Sequence, residues 1–279
     1  MISIESLTFQ YEGSTEPAVK DITLNIEDGG FFGIIGPAGA GKTTLARALC
    51  GIVPHHYKGD FYGSVTVDSM DTVDSKMTDI CRVVGMVFQD VESQIISSVV
   101  EDELLYGLEN YGIPHEEIEE RMDFALREVG IEDLRYRTIA SLSGGQRQKV
   151  AIASVIALRP KVLLLDEPTG ELDPGSSRQV FGLLKTLNEK YGITIVVIEQ
   201  KIMLLSEFAK ELAVMSGGSM FCHGPVREVL KRARELEEIG VNCPRVASLA
   251  QNLHKEGLLK TPVLINVDEA EAAVRRLIS

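Results

Sequence analysis

The sequence predicts an α/β fold built on a mostly parallel sheet, and three observations predict it. Short apolar runs alternate with helix-length segments, the order that lays down parallel strands joined by crossovers. Phe31–Ile35, Val162–Leu165 and Ile195–Ile198 carry no polar side chain, as strands covered on both faces do. The first of these runs meets a glycine-rich turn, and the other two end in acids.

In chain order, strand-like runs open the chain at Ser3–Gln10, Ile22–Ile26 and Phe31–Ile35. The early pair reads as an N-terminal antiparallel β subdomain. A helix follows from about Gly41 to Leu49, then strands at Gly63–Ser69 and Arg82–Phe88. From Glu92 to Leu158 the pattern is mainly helical, which predicts an α-helical subdomain inserted between two core strands, at about 92–158. Within it, Pro114 stands near a helix start, Glu116 and Glu117 fill the first turn, and Gly130 is the stop. Val162–Asp166 is a buried strand, Gly175–Tyr191 a helix and Ile193–Ile198 another buried strand. Leu212–Met215 and Met220–His223 read as a late strand pair. Beyond Pro225 the chain is expected to be helical almost to its end, so residues 1–230 form the main domain and 231–279 a C-terminal helical extension.

Composition narrows the function. The chain has 279 residues, 28 Lys and Arg against 41 Asp and Glu, and a net charge of −13. Such a surface repels nucleic acid and anionic lipid, so no nucleic-acid partner and no direct lipid insertion are expected. No apolar run approaches membrane-spanning length, and Met1–Glu5 lacks the basic start of a signal peptide. Cys50, Cys81, Cys222 and Cys243 are scattered without a Cys-x-x-Cys pair, which fits free thiols in a reducing cytoplasm.

Three motifs carry the chemistry. "GPAGAGKTT", Gly36 to Thr44, follows an apolar strand and opens a helix. In Gly36, Pro37, Ala38, Gly39, Ala40 and Gly41 the glycines let the backbone curl until several N–H groups face a phosphate. Lys42 would reach the β- and γ-phosphates of ATP, Thr43 would offer a hydroxyl to Mg²⁺, and Thr44 completes the helix start. "VLLLDEP" ends a strand with Asp166, suited to hold Mg²⁺ through water, and Glu167, suited to orient the attacking water. Strand ends in such sheets face one crevice, so these acids and the phosphate loop are expected together. "LSGGQ" then opens the helix leading to that strand. Ser143, Gly144, Gly145 and Gln146 form either a second anion site at a helix N-terminus or a plain capped helix start.

With these three motifs in this order, the sequence resembles the ABC ATPase family over roughly Ile2 to Leu230. The resemblance implies a P-loop NTPase of ABC ATPase type, ATP hydrolysis, and head-to-tail pairing with a second ABC ATPase subunit. In such a pair each nucleotide lies between one subunit's phosphate loop and the other's Ser143–Gln146 turn. It further implies adenine stacking for Tyr11, contact of Gln89 with Mg²⁺, and a place facing the other subunit for Asp173. Tyr11 read without the resemblance is an ordinary strand aromatic. The family more often has Ser where Gly170 stands.

Within that family, "IVPHHYKGDFYGSVTVDS", "VFQDVESQIISSVVEDELLYGLEN" and the tail "REVLKRARELEEIGVNCPRVASLAQNL" resemble the ATPases of energy-coupling-factor importers. The resemblance implies uptake of a vitamin or a transition metal, and a peripheral place on the cytoplasmic face of the membrane beside a transmembrane coupling subunit. Val100, Leu104 and Leu108 recur every four residues, with Glu101, Asp102 and Glu103 beside them. The resemblance implies that this region, Gln89–Asn110, cradles a coupling helix of the transmembrane subunit, whose arginines meet these acids; otherwise it is a solvated acidic helix on an ordinary core. His55–His56 and His223 lack a third ligand and are set aside as metal sites.

"IVVIEQKI" departs from the resembled pattern. In the family the strand after the acid-ended one terminates in a histidine at the γ-phosphate. Here Gln200 holds that place, between Glu199 and Lys201. Gln200 is expected either to act as a switch there without proton chemistry or merely to end the strand. The reading this supports is the ATPase subunit of an importer. Its alternatives are another ABC transporter's ATPase, a soluble ABC ATPase, and a nucleotide-controlled clamp with little hydrolysis.

Overall fold

The computed structural model describes residues 1–200 and 202–278. Ten strands are found among them: β1 (Ile2–Tyr11), β2 (Val19–Ile26), β3 (Phe31–Ile35), β4 (Gly59–Val67), β5 (Met70–Asp71), β6 (Val84–Val87), β7 (Val162–Asp166), β8 (Thr194–Ile198), β9 (Glu211–Ser216) and β10 (Ser219–Pro225). An antiparallel sheet has the order β2-β1-β4-β5. The core sheet has the order β10-β9-β3-β8-β7-β6, parallel throughout except for β10.

The core strands are apolar on both faces because both faces are covered. Phe32, Ile34, Leu164, Val196 and Ile198 point into one cluster, shared with the antiparallel sheet and the helix Lys42–Leu49. Their neighbours Phe31, Ile35, Leu163, Leu165, Ile195 and Val197 point into the other, shared with the helical subdomain and the helix Pro174–Tyr191. The period of two thus splits each strand between two cores. Each buried leucine or isoleucine there contributes on the order of 2–3 kcal/mol.

The expected helical insertion is present. It contains the helices Val91–Gln94, Val100–Asn110, His115–Val129 and Gly144–Ile156 and two short 3₁₀ turns. Gly130 ends His115–Val129 at φ 69°, a left-handed stop that a Cβ would oppose. Three expectations are corrected. Arg82 and Val83 finish a helix, Met77–Val83, and the strand begins only at Val84, where pairing to Val162 begins. β4 starts earlier than expected, at Gly59, paired to Tyr11, while Ser69 belongs to a turn. A Cβ on Gly59 would lie 2.1 Å from the Gln10 carbonyl, so the close pairing there needs glycine. The tail is less continuously helical than expected: the helices Val226–Leu230, Ala233–Glu238, Arg245–Lys255 and Val267–Ile278 alternate with irregular stretches. Leu236, Val241 and Val263 of that tail pack into the main core, while Ala250, Leu264 and Ala270 form a small cluster of their own. No helix is long and apolar enough to cross a membrane among the described residues.

Candidate active site

β3, β8 and β7 are parallel neighbours, paired Ile34 to Ile198 and Ile198 to Asp166. Their C-terminal ends therefore release the phosphate loop, Glu199–Gln200 and Asp166–Glu167 at one edge of the sheet. Ala38 to Thr44, Gln89, Glu167 and Gln200 line a single cleft of about 340 Å³.

The loop closes tightly. Gly36 has φ 156° and Gly41 φ 92°, and a Cβ on either would lie 2.2 or 2.3 Å from a backbone carbonyl. Gly41 is the N-cap of Lys42–Leu49, so the helix N-terminus opens onto the cleft. The Lys42 ammonium donates to the Gly36 and Pro37 carbonyls, each at 2.9 Å, and is buried. Burial lowers its pKa, while the Glu167 and Asp166 charges oppose that shift.

Asp166 is 2% exposed, and its Oδ1 has no hydrogen-bond partner. Desolvation raises its pKa, a hydrogen bond with Thr43 opposes this, the Glu167 charge adds to it, and Lys42 and Arg47 oppose it. A buried carboxylate oxygen without a donor, beside a threonine hydroxyl, is a donor set that a hard cation satisfies.

Glu167 sits at φ 48°, a left-handed backbone that costs a residue with a Cβ about 1–2 kcal/mol. The surroundings hold it there. Its N–H donates to the Ile198 carbonyl at 2.9 Å, and its own carbonyl accepts from the Gly170 N–H at 3.1 Å. Its carboxylate is gripped from two sides: Gln89 Nε2 donates to Oε2 at 3.1 Å and Gln200 Nε2 to Oε1 at 2.7 Å. Gln89 is placed by Gln94, whose side chain accepts from the Phe88 N–H and donates to the Met86 carbonyl. Gln94 escaped the sequence reading because a lone glutamine at the end of a one-turn helix carries no pattern.

Other expected residues lie outside this cleft. Ser143 and Gln146 form a reciprocal capping box at the start of Gly144–Ile156, and Gly144 borders a neighbouring cleft of about 420 Å³ that Glu167 and Gln89 also line. Ser143, Gly145 and Gln146 line neither cleft. Asp173 is exposed and caps Pro174–Tyr191, accepting from the Gly175 and Ser176 N–H groups; its bonds to Ser176 hold its carboxyl below the usual range. The Tyr11 hydroxyl lies 3.2 Å from the Thr44 hydroxyl and accepts from Arg47 at 3.1 Å, and its ring meets Phe9 and Tyr57 edge-on. His55 bonds the Thr72 carbonyl at 2.9 Å. Lys201 lies outside the described residues.

The acidic helix packs by its apolar face. Val100, Leu104 and Leu108 are fully buried in the main core. Glu103 is buried and accepts from the Ile96 and Ser97 N–H groups at 3.0 and 2.8 Å. Glu101 is 2.7 Å from Arg135, which also pairs with Glu119 and Asp123 and is thereby held more firmly protonated. Of the three acids only Asp102 is exposed, so the helix rests on an ordinary core and its apolar face is not a docking face.

Known proteins share this arrangement. The sequence profile described as "ABC transporter" matches residues 19–170. The energy-coupling factor transporter ATP-binding protein EcfA1 of Caldanaerobacter subterraneus subsp. tengcongensis is 38% identical over 96% of this chain and 96% of its own length. The solved structure of CbiO1 from Clostridium perfringens, part of the ABC transporter complex CbiONQ, superimposes with TM-score 0.76 at 32% identity, covering 89% of this chain and 97% of that one. The dimeric cassette MJ0796, in a post-hydrolysis state bound to ADP and Pi, does so with TM-score 0.71 at 28% identity, covering 81% and 99%.

Proposed function

The chain belongs to the ABC transporter family, and we propose that it is the ATP-binding subunit of an energy-coupling-factor importer of a vitamin or transition-metal ion. That it is an ABC transporter's ATP-binding and ATP-hydrolysing subunit follows from its membership. One observation carries the assignment of the chemistry: the phosphate loop, Gln200 and the clamped Glu167 converge on one cleft from three adjacent strand ends, with buried Asp166 next to Glu167 on the last of them.

In this reading the loop amides from Ala38 to Thr44 and Lys42 bind the phosphates of ATP. Thr43, Asp166 and Gln89 hold Mg²⁺, which would neutralise charge on the phosphates. The unpartnered Asp166 Oδ1 supports this. Glu167 orients the attacking water, and its two glutamine partners fix its carboxylate. Gln200 keeps the positioning part of the family histidine's task and lacks its proton chemistry. Tyr11, beside Thr44, stands near the base of the nucleotide. Ser143–Gln146 and Asp173, on the outer surface, complete the site of a second ATPase subunit, identical or different, and receive its phosphates in turn. Residues 1–230 form the ATPase domain and 231–279 an extension.

The transmembrane subunit docks beside the acidic helix, within the Gln89–Asn110 region. A groove of about 430 Å³ is lined by Ile95, Ser97, Thr138, Ile139 and Ala140. Ile96 at 68% exposure and Tyr136 at 73% stand close by in sequence. An amphipathic helix at the cytoplasmic face of that subunit suits such a groove. The resemblance to CbiO1, part of an ABC transporter complex, supports a partner of this kind. The test is purification of the complex from native membranes, identifying partner chains and bound small molecules by mass spectrometry. A vitamin- or metal-binding membrane partner bears the reading out; a different transporter partner, or none, overturns it.

A further inference from the structure

We propose that Glu199 is a positioning residue for hydrolysis, strapping the turn that follows Glu167 from a buried place behind the cleft. The proposal rests on the reading of Glu167 as the residue that orients water.

Glu199 is 2% exposed, continues β8 and donates its N–H to the Ile34 carbonyl at 3.1 Å. Its Oε1 accepts from both the N–H and the hydroxyl of Thr169, at 3.1 and 2.6 Å. Thr169 is itself 2% exposed. Between Glu167 and Gly170 the chain closes on one backbone bond, 3.1 Å long. Glu167 stands there at φ 48°, and a strained residue persists only where its surroundings over-determine it. The two hydrogen bonds from Thr169 to Glu199 are a second anchor, on the far side of the turn. Burying a carboxylate is costly, and charge-assisted bonds to it are about twice as strong as neutral ones. Two consecutive residues thus hold Glu167: Gln200 by its carboxylate, Glu199 by its backbone turn.

The experiment measures ATP turnover and MgATP affinity of the full chain in its complex, for Thr169→Val, Thr169→Ser, Glu199→Gln and Glu167→Gln. Thr169→Val should lower kcat about tenfold, the worth of one hydrogen bond to a charged group, with KM within about twofold. Thr169→Ser keeps the hydroxyl and should restore kcat. Glu199→Gln keeps a weaker acceptor and should lower kcat by roughly three- to fivefold at unchanged KM. Wild-type turnover in Thr169→Val, an equal loss in Thr169→Ser, or a fall in kcat matched by a rise in KM would each overturn the strap. If Thr169→Val fails to fold, Glu199→Gln decides alone, and unaltered kcat there rejects it. Glu167→Gln separates the two readings. If it turns over normally, the assignment of Glu167 fails and the strap fails with it. If it abolishes turnover while Thr169→Val is unaffected, only the strap is lost.

Discussion

Replacing Gln200 tests the clamp on Glu167 directly. Its amide donates to Glu167 Oε1 at 2.7 Å, the shorter of the carboxylate's two amide bonds. A hydrogen bond to a charged group has a net worth of about 1.5–3 kcal/mol, and because Gln200 is exposed the lower figure applies. Loss of about 1.5 kcal/mol is close to tenfold in rate, so Gln200→Ala should lower kcat by about that factor. Binding of MgATP should change little, since the loop amides and Lys42 remain. Gln200→His acts in the opposite direction. A ring N–H can still donate to Glu167, and the imidazole can also take up and release a proton as charge develops. We expect kcat about ten- to a hundredfold above wild type, somewhat less than the worth of a whole transition-state donor. The histidine brings a pH signature with it. The Glu167 carboxylate favours the imidazolium and raises its pKa above about 6.5, so activity in this variant should fall as pH rises through that raised value. A glutamine cannot ionise, so wild type lacks that limb. The assay is phosphate release by the assembled complex at saturating MgATP between about pH 5.5 and 8.5. Unchanged kcat in both variants, while Glu167→Gln still abolishes turnover, would refute a role for Gln200 at the reacting phosphate.

Other outcomes follow from the same geometry. Lys42→Ala should remove most of the affinity for MgATP, from a starting range of about −8 to −4 kcal/mol, as read by calorimetry. Asp166→Asn should stabilise the nucleotide-free protein at neutral pH. Burial raises the Asp166 pKa above its unfolded value, so the folded state loses stability as pH rises from the unfolded pKa through the raised one, and the amide is spared that loss. Thermal melts without and with Mg²⁺ and ATP check this, and the ligands should stabilise wild type more than the variant. Glu103→Ala should cost about 1–3 kcal/mol of stability in denaturant melts, because it strands the Ile96 and Ser97 N–H groups. Ile96→Glu should release the chain from membranes that contain its partner and leave ATP affinity intact, whereas Asp102→Lys should leave both attachment and affinity unchanged; fractionation and calorimetry read both.

Much of the fold was legible because its strands are extreme. Val162–Leu165 and Ile195–Ile198 are apolar on both faces, and only a sheet covered on both sides accommodates that. The cleft was legible for a related reason: glycine at positions 36, 39 and 41 serves a turn that no other residue can make, and all three adopt positive φ. The acidic helix was legible in period and misleading in direction. A spacing of four states that Val100, Leu104 and Leu108 share a face, and it is silent on whether that face meets the core or a partner. Long-range pairings decide it: Glu101 with Arg135, and Glu103 with the Ile96–Ser97 turn, cannot be read from a helical period. Arg82 and Val83 failed as strand because an apolar run of four to six residues suits a helix end as well as a strand start.

The polar end of β8 has a physical reason that the apolar part of the strand already contains. Val197 faces the core shared with the helical subdomain, and Ile198 faces the one shared with the antiparallel sheet. Carried two residues further, that alternation sends Glu199 and Gln200 to different sides of the strand end. Glu199 stays buried, where accepting twice from Thr169 offsets part of the cost of its desolvation. Gln200 emerges exposed beside the phosphate loop, where it meets the Glu167 carboxylate. A lysine at 200 would place a full positive charge against that carboxylate, and an apolar residue would leave its Oε1 without this donor. An amide donates to that carboxylate without adding charge and holds it in place. With the positioning kept and the proton chemistry given up, the expected outcome is slow turnover at this site and not its absence.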